Sequence, residues 1–493
     1  MARIEAQGEA LRILAKKVLS WLVHAKRVLS VTELQHAVAI EPGTSELDEE
    51  FIPDKEILVS ICAGLVTFDT ESRDIRLAHY TLQEYFEREG RHWFQHAETD
   101  IARACLTYLS FCAFESDRYD HETDEYGFPA NLSLSRYAAR HWGNHACGAP
   151  ERHLMPLILD FLCSDAKRSS TDRALSEIHR SAIHIAIFFK LESTVLTLIE
   201  MGHDVNGPDP NGRTPLLQAV KSGCTPMVQL LLRAGAEVDV GDELLGHTPL
   251  TCASNAGSES TVKLLLEHGA DVDYDPRGEG WSALSCAFMR THFGIAKLLL
   301  EEGANPNVLV GFTLPQFFRI IREARHLQEA RAVARSATAV GRPLLLSQIE
   351  VDFVKHFRKS PIAKAASHGL ESMVKLLLEK GANVEGKPSS SAISPLCWAM
   401  LCSSEAREGM IRLLLEYGAD TEPLIGLMEC RRDALGKVFE NDEVLRLLLK
   451  NGVAADLVIL GKPLLVWAFE MGKQGAANIL QEYGARLPSD WQH

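Results

Sequence analysis

The sequence predicts a mainly α-helical fold: a solenoid of repeated helix pairs behind a small N-terminal domain with a two-stranded wing and a helical connector. Three observations predict it. A Leu-Leu-Leu string followed by Gly-Ala, intact or degenerate, recurs through the C-terminal two thirds and closes on Gly202, Gly235, Gly269, Gly303, Gly381, Gly418, Gly452 and Gly484. These glycines are spaced by 33, 34, 34, 78, 37, 34 and 32 residues, and a period of that size marks stacked supersecondary units. A second string precedes most of them: Gly-Arg-Thr-Pro-Leu at 212–216, Gly-His-Thr-Pro-Leu at 246–250 and Gly-Trp-Ser-Ala-Leu at 280–284. Weaker copies stand at 359–362, 393–396 and 461–464, and weaker ones still at 180–183 and 432–435. The third observation is the different pattern of the first 90 residues, taken up below.

Composition removes several classes. The 493 residues carry 51 Lys+Arg against 66 Asp+Glu, a formal charge of −15, with 46% hydrophobic residues. Such a chain buries enough apolar surface to fold, and its acidic field argues against a general nucleic-acid binder. No run of about 18 apolar residues is present, so no membrane insertion is expected. Arg12, Lys16, Lys17, Lys26 and Arg27 interrupt the N-terminal apolar residues, unlike a signal peptide. Eleven cysteines without a CxxC pair fit a reduced, intracellular, cytoplasmic setting. Cys252 and Cys286 occupy matching places of two repeats, as small buried side chains would.

Each repeat follows from local chemistry. Thr before Pro can cap the first helix, and Pro in the first turn loses no hydrogen bond. The triple Leu places apolar side chains on the second helix, each worth roughly 1.5–3 kcal/mol when buried. Gly then ends that helix in the left-handed region, and acids such as Asp271 and Asp273 lead into a hairpin. On these residues the region 176–487 resembles the ankyrin repeat. The resemblance implies a protein-binding solenoid. Its Thr-Pro-Leu-His pattern keeps the His only as His184; Leu217 and Thr251 stand there in the next two copies, which weakens inter-repeat hydrogen bonding. The 78-residue gap holds an insertion at 311–358 with helical spacing of Phe317, Ile320, Ile321, Leu327 and Ala330, room for a degenerate ninth repeat.

The N-terminal part reads differently. Leu11, Leu14, Val18, Leu19 and Leu22 form one helical stripe over 8–24. Ser30-Val31-Thr32-Glu33 has capping-box spacing before a second helix, an acidic loop carries Glu41, Glu46, Asp48, Glu49 and Glu50, and 54–63 reads as a third helix. Segments 65–69 and 75–79 read as two strands around a turn, and Thr81-Leu82-Gln83-Glu84 as another capping box. Three helices and a two-stranded wing make a winged helix. IRLAHYTLQEYF at 75–86 and YAARHWGNH at 137–145 resemble the winged-helix domain of fungal NACHT-type NTPases with ankyrin repeats, known as the GPI inositol-deacylase winged-helix domain. In that family the winged helix follows an ATP-binding domain and leads into the repeat sensor. The four Gly-Lys pairs here, at 386, 436, 461 and 472, are followed by Pro388, Val438, Pro463 and Gln474, so none makes a Walker A loop. The domains therefore read as a winged helix over 1–90, a helical connector over 91–175, repeats 1–4 over 176–310, the insertion over 311–358 and repeats 5–8 over 359–487.

Catalytic and metal chemistry lacks a motif. His141, His145 and Cys147 fall within seven residues, but no Glu follows His141 as in HExxH, and packing beside Trp142 explains them better. Asp271-x-Asp273-x-Asp275 starts like an EF-hand, yet Pro276 and Ser282 occupy the positions that need Gly and a bidentate Glu. No Gly-x-Ser-x-Gly elbow is present. The third helix of the winged helix offers Asp54, Lys55 and Glu56 rather than a row of base-reading side chains. The sequence thus predicts no cofactor, no metal, no catalysis and no nucleic acid.

What remains is protein–protein interaction. Hairpin tips and first helices line the open face of such a solenoid, which places Asn211, Arg213, Lys221, Leu244, Leu245, His247, Asn255, Glu279, Trp281, Met289 and Arg290 in the candidate partner site. Trp281 is the natural anchor, since buried aromatics and Arg carry interface energy. A second candidate is the basic stretch 311–360, where nine basic residues (Arg319, Arg322, Arg325, Arg331, Arg335, Arg342, Lys355, Arg358 and Lys359) outnumber four acids and leave the rest of the chain at −20. A charge run of this kind is ordinarily a solvated face, but it also fits an acidic partner or the acidic loop at 41–56.

Overall fold

The computed structural model describes residues 1–488 apart from 70, 72, 89, 115–127, 129–130, 175–180, 244–245, 276–281, 309–358, 387–392, 403–405 and 431. The chain divides into two compact units, Met1–Glu237 and Val238–His493.

Unit 1 opens with the winged helix. The helix Glu9–His24 packs on Val31–Ala39 and Lys55–Ile61. Its buried face is Ala15, Val18, Leu19, Trp21 and Val23, while Leu11 is 45% exposed. The predicted stripe is therefore corrected by a rotation: apolar residues lie on several faces of this helix, and the face holding Trp21 packs inward. The capping box forms as expected, with the Ser30 hydroxyl accepting from the Glu33 N–H and the Glu33 carboxylate from the Ser30 N–H. The wing has three strands, not two. Strand β3 (Asp74–Leu77) pairs antiparallel with β2 (Val66–Phe68) and with β1 (Leu29–Ser30); two residues are too few to leave a period-2 signal. The capping box expected at Thr81 is replaced. The helix spans Tyr80–Arg88, and the His79 ring nitrogen accepts the Thr81 N–H at 3.2 Å.

Four helices follow over the connector: Ala97–Leu109, Ser135–Ala146, Ala149–Cys163 and Asp165–Ala174. The second and third stack on the first repeat (Ala182–Phe188 and Glu192–Glu200) as a repeat stacks on its neighbour. Ala149–Cys163 lies along Glu192–Glu200, and the buried Glu151 carboxylate accepts the Thr194 N–H at 2.6 Å. Trp142 is fully buried between Phe161 and Phe189, with centroids 5.4 and 4.9 Å away. The second repeat (Pro215–Lys221 and Thr225–Arg233) completes the unit.

Unit 2 stacks the remaining repeats. Caps match the sequence logic: Thr248, Ser282, Ser360 and Ser394 each accept the backbone N–H three residues on. Cys286 is buried as expected, whereas Cys252, at the matching position, is only half-buried. The insertion 311–358 lies outside the described residues. The repeats flanking it pack directly on each other, helix Phe293–Glu301 on Glu371–Glu379. Asn383 N–H donates to Asn307 Oδ1 at 2.7 Å across this join, and the Phe293 and His368 rings meet edge to face. After Gly418 the hairpin gives way to an extra helix, Glu422–Cys430.

All eight repeat glycines have φ between +82° and +98°. At Gly269, φ is +85° and a Cβ would meet open space, so Gly269→Val carries only backbone strain. We expect a loss of about 1–3 kcal/mol and a melting midpoint lowered by several degrees. An unchanged midpoint in a circular-dichroism melt would reject this repeat register.

Candidate interaction surface

The hairpin tips are held by a carboxylate and amide ladder. From Gly202 to Gly381 the side chain four residues after each closing glycine accepts the N–H two residues after the next closing glycine. Asn206 accepts from Glu237 N–H in unit 1 at 2.8 Å. In unit 2, Asp239 accepts from Asp271, Asp273 from Asn305, Asn307 from Asn383, and Glu385 from Asp420, at 2.7–3.3 Å. Asp271, Asn305, Asn383 and Asp420 also accept the N–H two residues on within their own turns. Asp271 and Asp273, which imitate an EF-hand in sequence, are thus spent on hairpin geometry. Burial first, and the Asp271 charge besides, raise the Asp239 carboxyl above the usual range, while the Asp271 N–H holds it down.

On this scaffold the predicted residues separate into two groups. In unit 1, Asn211 is exposed at a hairpin tip and Arg213 is half-buried beside it, their N–H groups donating to the buried Asp209 carboxylate at 2.9 and 2.8 Å. The Arg213 carbonyl lies 2.8 Å from His184 Nε2, and His184 Nδ1 lies 2.7 Å from the Ser181 hydroxyl; this is the inter-repeat bond that Leu217 cannot make. Lys221 is exposed at the end of its helix. In unit 2, His247 is half-buried with its N–H on Asp242 at 3.2 Å and its ring 3.8 Å from the same carboxylate. Asn255 and Arg290 are brought together: Arg290 Nε donates to Asn255 Oδ1 at 2.9 Å, beside the half-buried Met289. Leu244, Leu245, Glu279 and Trp281 lie outside the described residues.

Sequence reasoning missed the corresponding face of the later repeats. Lys359 occupies the place of Arg213 and His247, one residue before the cap, and its ammonium stands 3.4 Å from the centroid of the Trp398 ring. Lys364 and Trp398 share the place of Gln218 and Cys252, four residues after the cap. In the last repeat Lys462 lies over Trp467 at 5.2 Å, and Trp467 Nε1 donates to the Ile459 carbonyl at 2.9 Å. Aligning the weak copies on their Ser-Pro caps would have exposed this register.

His145, flagged in sequence with His141 and Cys147, serves packing. It is fully buried, its Nε2 2.8 Å from the Tyr137 hydroxyl and its Nδ1 bonded to Glu98. Among the described residues no group of three or more His, Cys, Asp or Glu could hold a metal ion, and no helix is long and apolar enough to cross a membrane.

Capped helix pairs closed by left-handed glycines and tied through their hairpins define a helical repeat protein. Known proteins agree. The model "Ankyrin repeats (3 copies)" matches 149–242, 234–309 and 331–425, more than half the chain, and "GPI inositol-deacylase, winged helix domain" matches 2–97. The chain belongs to the ankyrin repeat family, and its N-terminal domain is a winged helix of the second type. It is 36% identical over 89 residues to the B-cell lymphoma 3 protein homolog of Mus musculus, covering 18% of this chain and 20% of that protein. It is 29% identical over 160 residues to the Neurogenic locus Notch protein of Drosophila melanogaster, covering 31% and 6%. The chain thus spans a fifth or less of these relatives. The human ASB11 ankyrin repeat domain matches at 25% identity and a TM-score of 0.32, over 49% of this chain and 86% of that one.

Proposed function

We propose that this chain is a non-catalytic scaffold or sensor that holds a protein partner on the face made by its first helices and hairpin tips, within an intracellular signalling or self/non-self recognition system of fungal type. The observation that carries the reading is the division of labour within each repeat. Leu265, Leu299, Leu377 and Leu414 of the second helices are fully buried and unavailable, while the first helices and hairpins keep Arg213 and Lys221 in unit 1, and His247 and Arg290 in unit 2, at the surface or half-exposed. Specificity in repeat proteins resides on that face. The double variant Trp281→Ala, Arg213→Glu is expected to weaken partner capture from the source lysate at least tenfold with an unchanged circular-dichroism spectrum. Undiminished capture by a folded variant would remove this face from consideration.

A second reading is favoured by the winged-helix domain at 2–97: the chain corresponds to the regulatory and sensor part of a NACHT-type ATP-dependent receptor, with the NTPase on another segment. Under both readings this chain carries no phosphate-cradling loop. Calorimetric titration with ATP is expected to show no binding, and one site of micromolar affinity would overturn both.

A further inference from the structure

We propose that the open face of the later repeats, centred on Lys359, Lys364 and Trp398, binds an acidic peptide segment of a protein partner. The proposal deepens the scaffold reading above and rests on it, naming the partner's chemistry and a place on the solenoid.

The geometry is a cationic floor with an aromatic wall. Lys359, Lys364 and Trp398 are each half-buried. The Lys359 ammonium sits over the Trp398 ring at 3.4 Å, within the range where the ring quadrupole attracts a cation. Neither lysine has a carboxylate partner among the described residues, in contrast to Lys375 and Lys263 on second helices, which pair with Glu379 and Glu259. Burial pulls the Lys359 ammonium down to about 8, with the Lys364 charge adding to it, and burial also lowers Lys364. Two cations are thus partly stripped of water and, among the described residues, left without a neutralising carboxylate, which a ligand carboxylate would relieve. Lys437, three helices on from that of Trp398, donates to the Leu401 carbonyl at 2.5 Å, and in the last repeat Lys462 lies over Trp467, there paired with Glu470. Ile393, 45% exposed and one residue before the Ser394 cap, the place that Lys359 holds before Ser360, gives the apolar contact that separates a peptide from a simple anion. An acidic strand with an occasional apolar side chain matches this order of groups. Complementary charge sets such pairings and their on-rates.

The test uses the full chain and a fluorescein-labelled twelve-residue peptide of Glu and Asp with two Leu, read by polarisation at 50 and 200 mM salt. Saturable binding is expected, weakened at least tenfold in Lys359→Glu, Lys364→Glu and about as much in Trp398→Ala. It should be unchanged in the control Lys375→Glu, Lys380→Glu on second helices. Bound peptide should also slow methylation of the Lys359 amine by formaldehyde and borohydride. Equal weakening by the control pair would overturn the proposal, as would binding untouched by the first pair, no saturable binding, or tighter binding of a single-stranded oligonucleotide at the same lysines. If the peptide fails while Trp281→Ala, Arg213→Glu still abolishes partner capture, the scaffold reading stands and this site falls. If both fail, the scaffold reading falls with it.

Discussion

Trp142→Ala should cost unit 1 about 3–5 kcal/mol, the range for deleting a fully buried indole whose cavity cannot collapse. Trp142 is held edge-on by Phe161 and tilted against Phe189, one ring from its neighbour in the helix pair and one from the first repeat. The helix carrying it is pressed so close that the next residue must lack a side chain. A Cβ on Gly143 would lie 2.0 Å from Phe189 Cγ, so even Gly143→Ala forces the Phe189 ring or the helix to shift and should itself cost about 1–3 kcal/mol. Urea unfolding of the purified chain followed by far-UV circular dichroism gives both numbers. A loss below about 1 kcal/mol for Trp142→Ala would show that this helix is not the stack's first layer. Phe161→Leu offers a gentler check at the same joint, expected to lose less than Trp142→Ala because part of the volume is kept.

How far the sequence reaches is clear at this joint. The later repeats were legible because capping residues and a left-handed glycine are local requirements that repeat with a fixed period, as Thr248 and Gly269 illustrate. Around Trp142 such signals fall off the period: Gly148 has a positive φ and Pro150 stands in the first turn of the next helix, but Gly148 lies 54 residues before Gly202. Ala149–Cys163 begins after Gly148 without a side-chain cap, and its membership in the stack is fixed by long-range contacts such as Glu151 to Thr194, which have no period. The third strand of the wing failed for a related reason: Leu29 and Ser30 are recruited by pairing with Ile75 and Asp74, not by their own pattern. Of the candidate site, the face was legible through the register of Arg213 and His247. The pairing of Asn255 with Arg290 was not, since it depends on how one repeat is rotated against the next. The Lys359 to Trp398 contact is of the same kind, its partners standing 39 positions apart in the chain.

Unit 1 should lose stability as the pH falls below about 6.5, the ordinary value for histidine. Three of its histidines sit in places that favour the neutral ring. Burial lowers His36, whose Nδ1 lies 2.8 Å from the Tyr108 hydroxyl. His141 is pushed down to about 4, by burial first and then by the charges of Arg27, His145, Arg140 and Lys26, and its Nδ1 has no hydrogen-bond partner among the described residues. His145 is lowered by burial even though the Glu98 carboxylate opposes the shift. The bonding is consistent with a neutral ring there: Lys26 N–H donates to the Tyr137 oxygen, the Tyr137 hydroxyl donates to Nε2, and Nδ1–H donates to Glu98. Glu98 itself stays below the usual carboxylate range, since the bonds from His145 and Lys26 outweigh its burial. Each histidine binds its proton more weakly folded than unfolded, so its contribution is complete above pH 6.5 and disappears as the pH falls toward the folded value. For His141 the window is therefore pH 6.5 to about 4. Its partial exposure reduces the full linkage value to roughly 1–2 kcal/mol. Lys359 acts elsewhere: its lowered value adds stability only as the pH rises above about 8. Chemical denaturation at pH 7.5, 6.5, 5.5 and 4.5 should show a falling midpoint. His141→Gln, which cannot titrate, should remove about one proton from the slope while leaving the pH 7.5 value within about 1 kcal/mol. A midpoint that stays level from pH 7.5 to 4.5 would mean that these rings are already open to water, and that the winged helix is not locked to the connector through Tyr137 and His145.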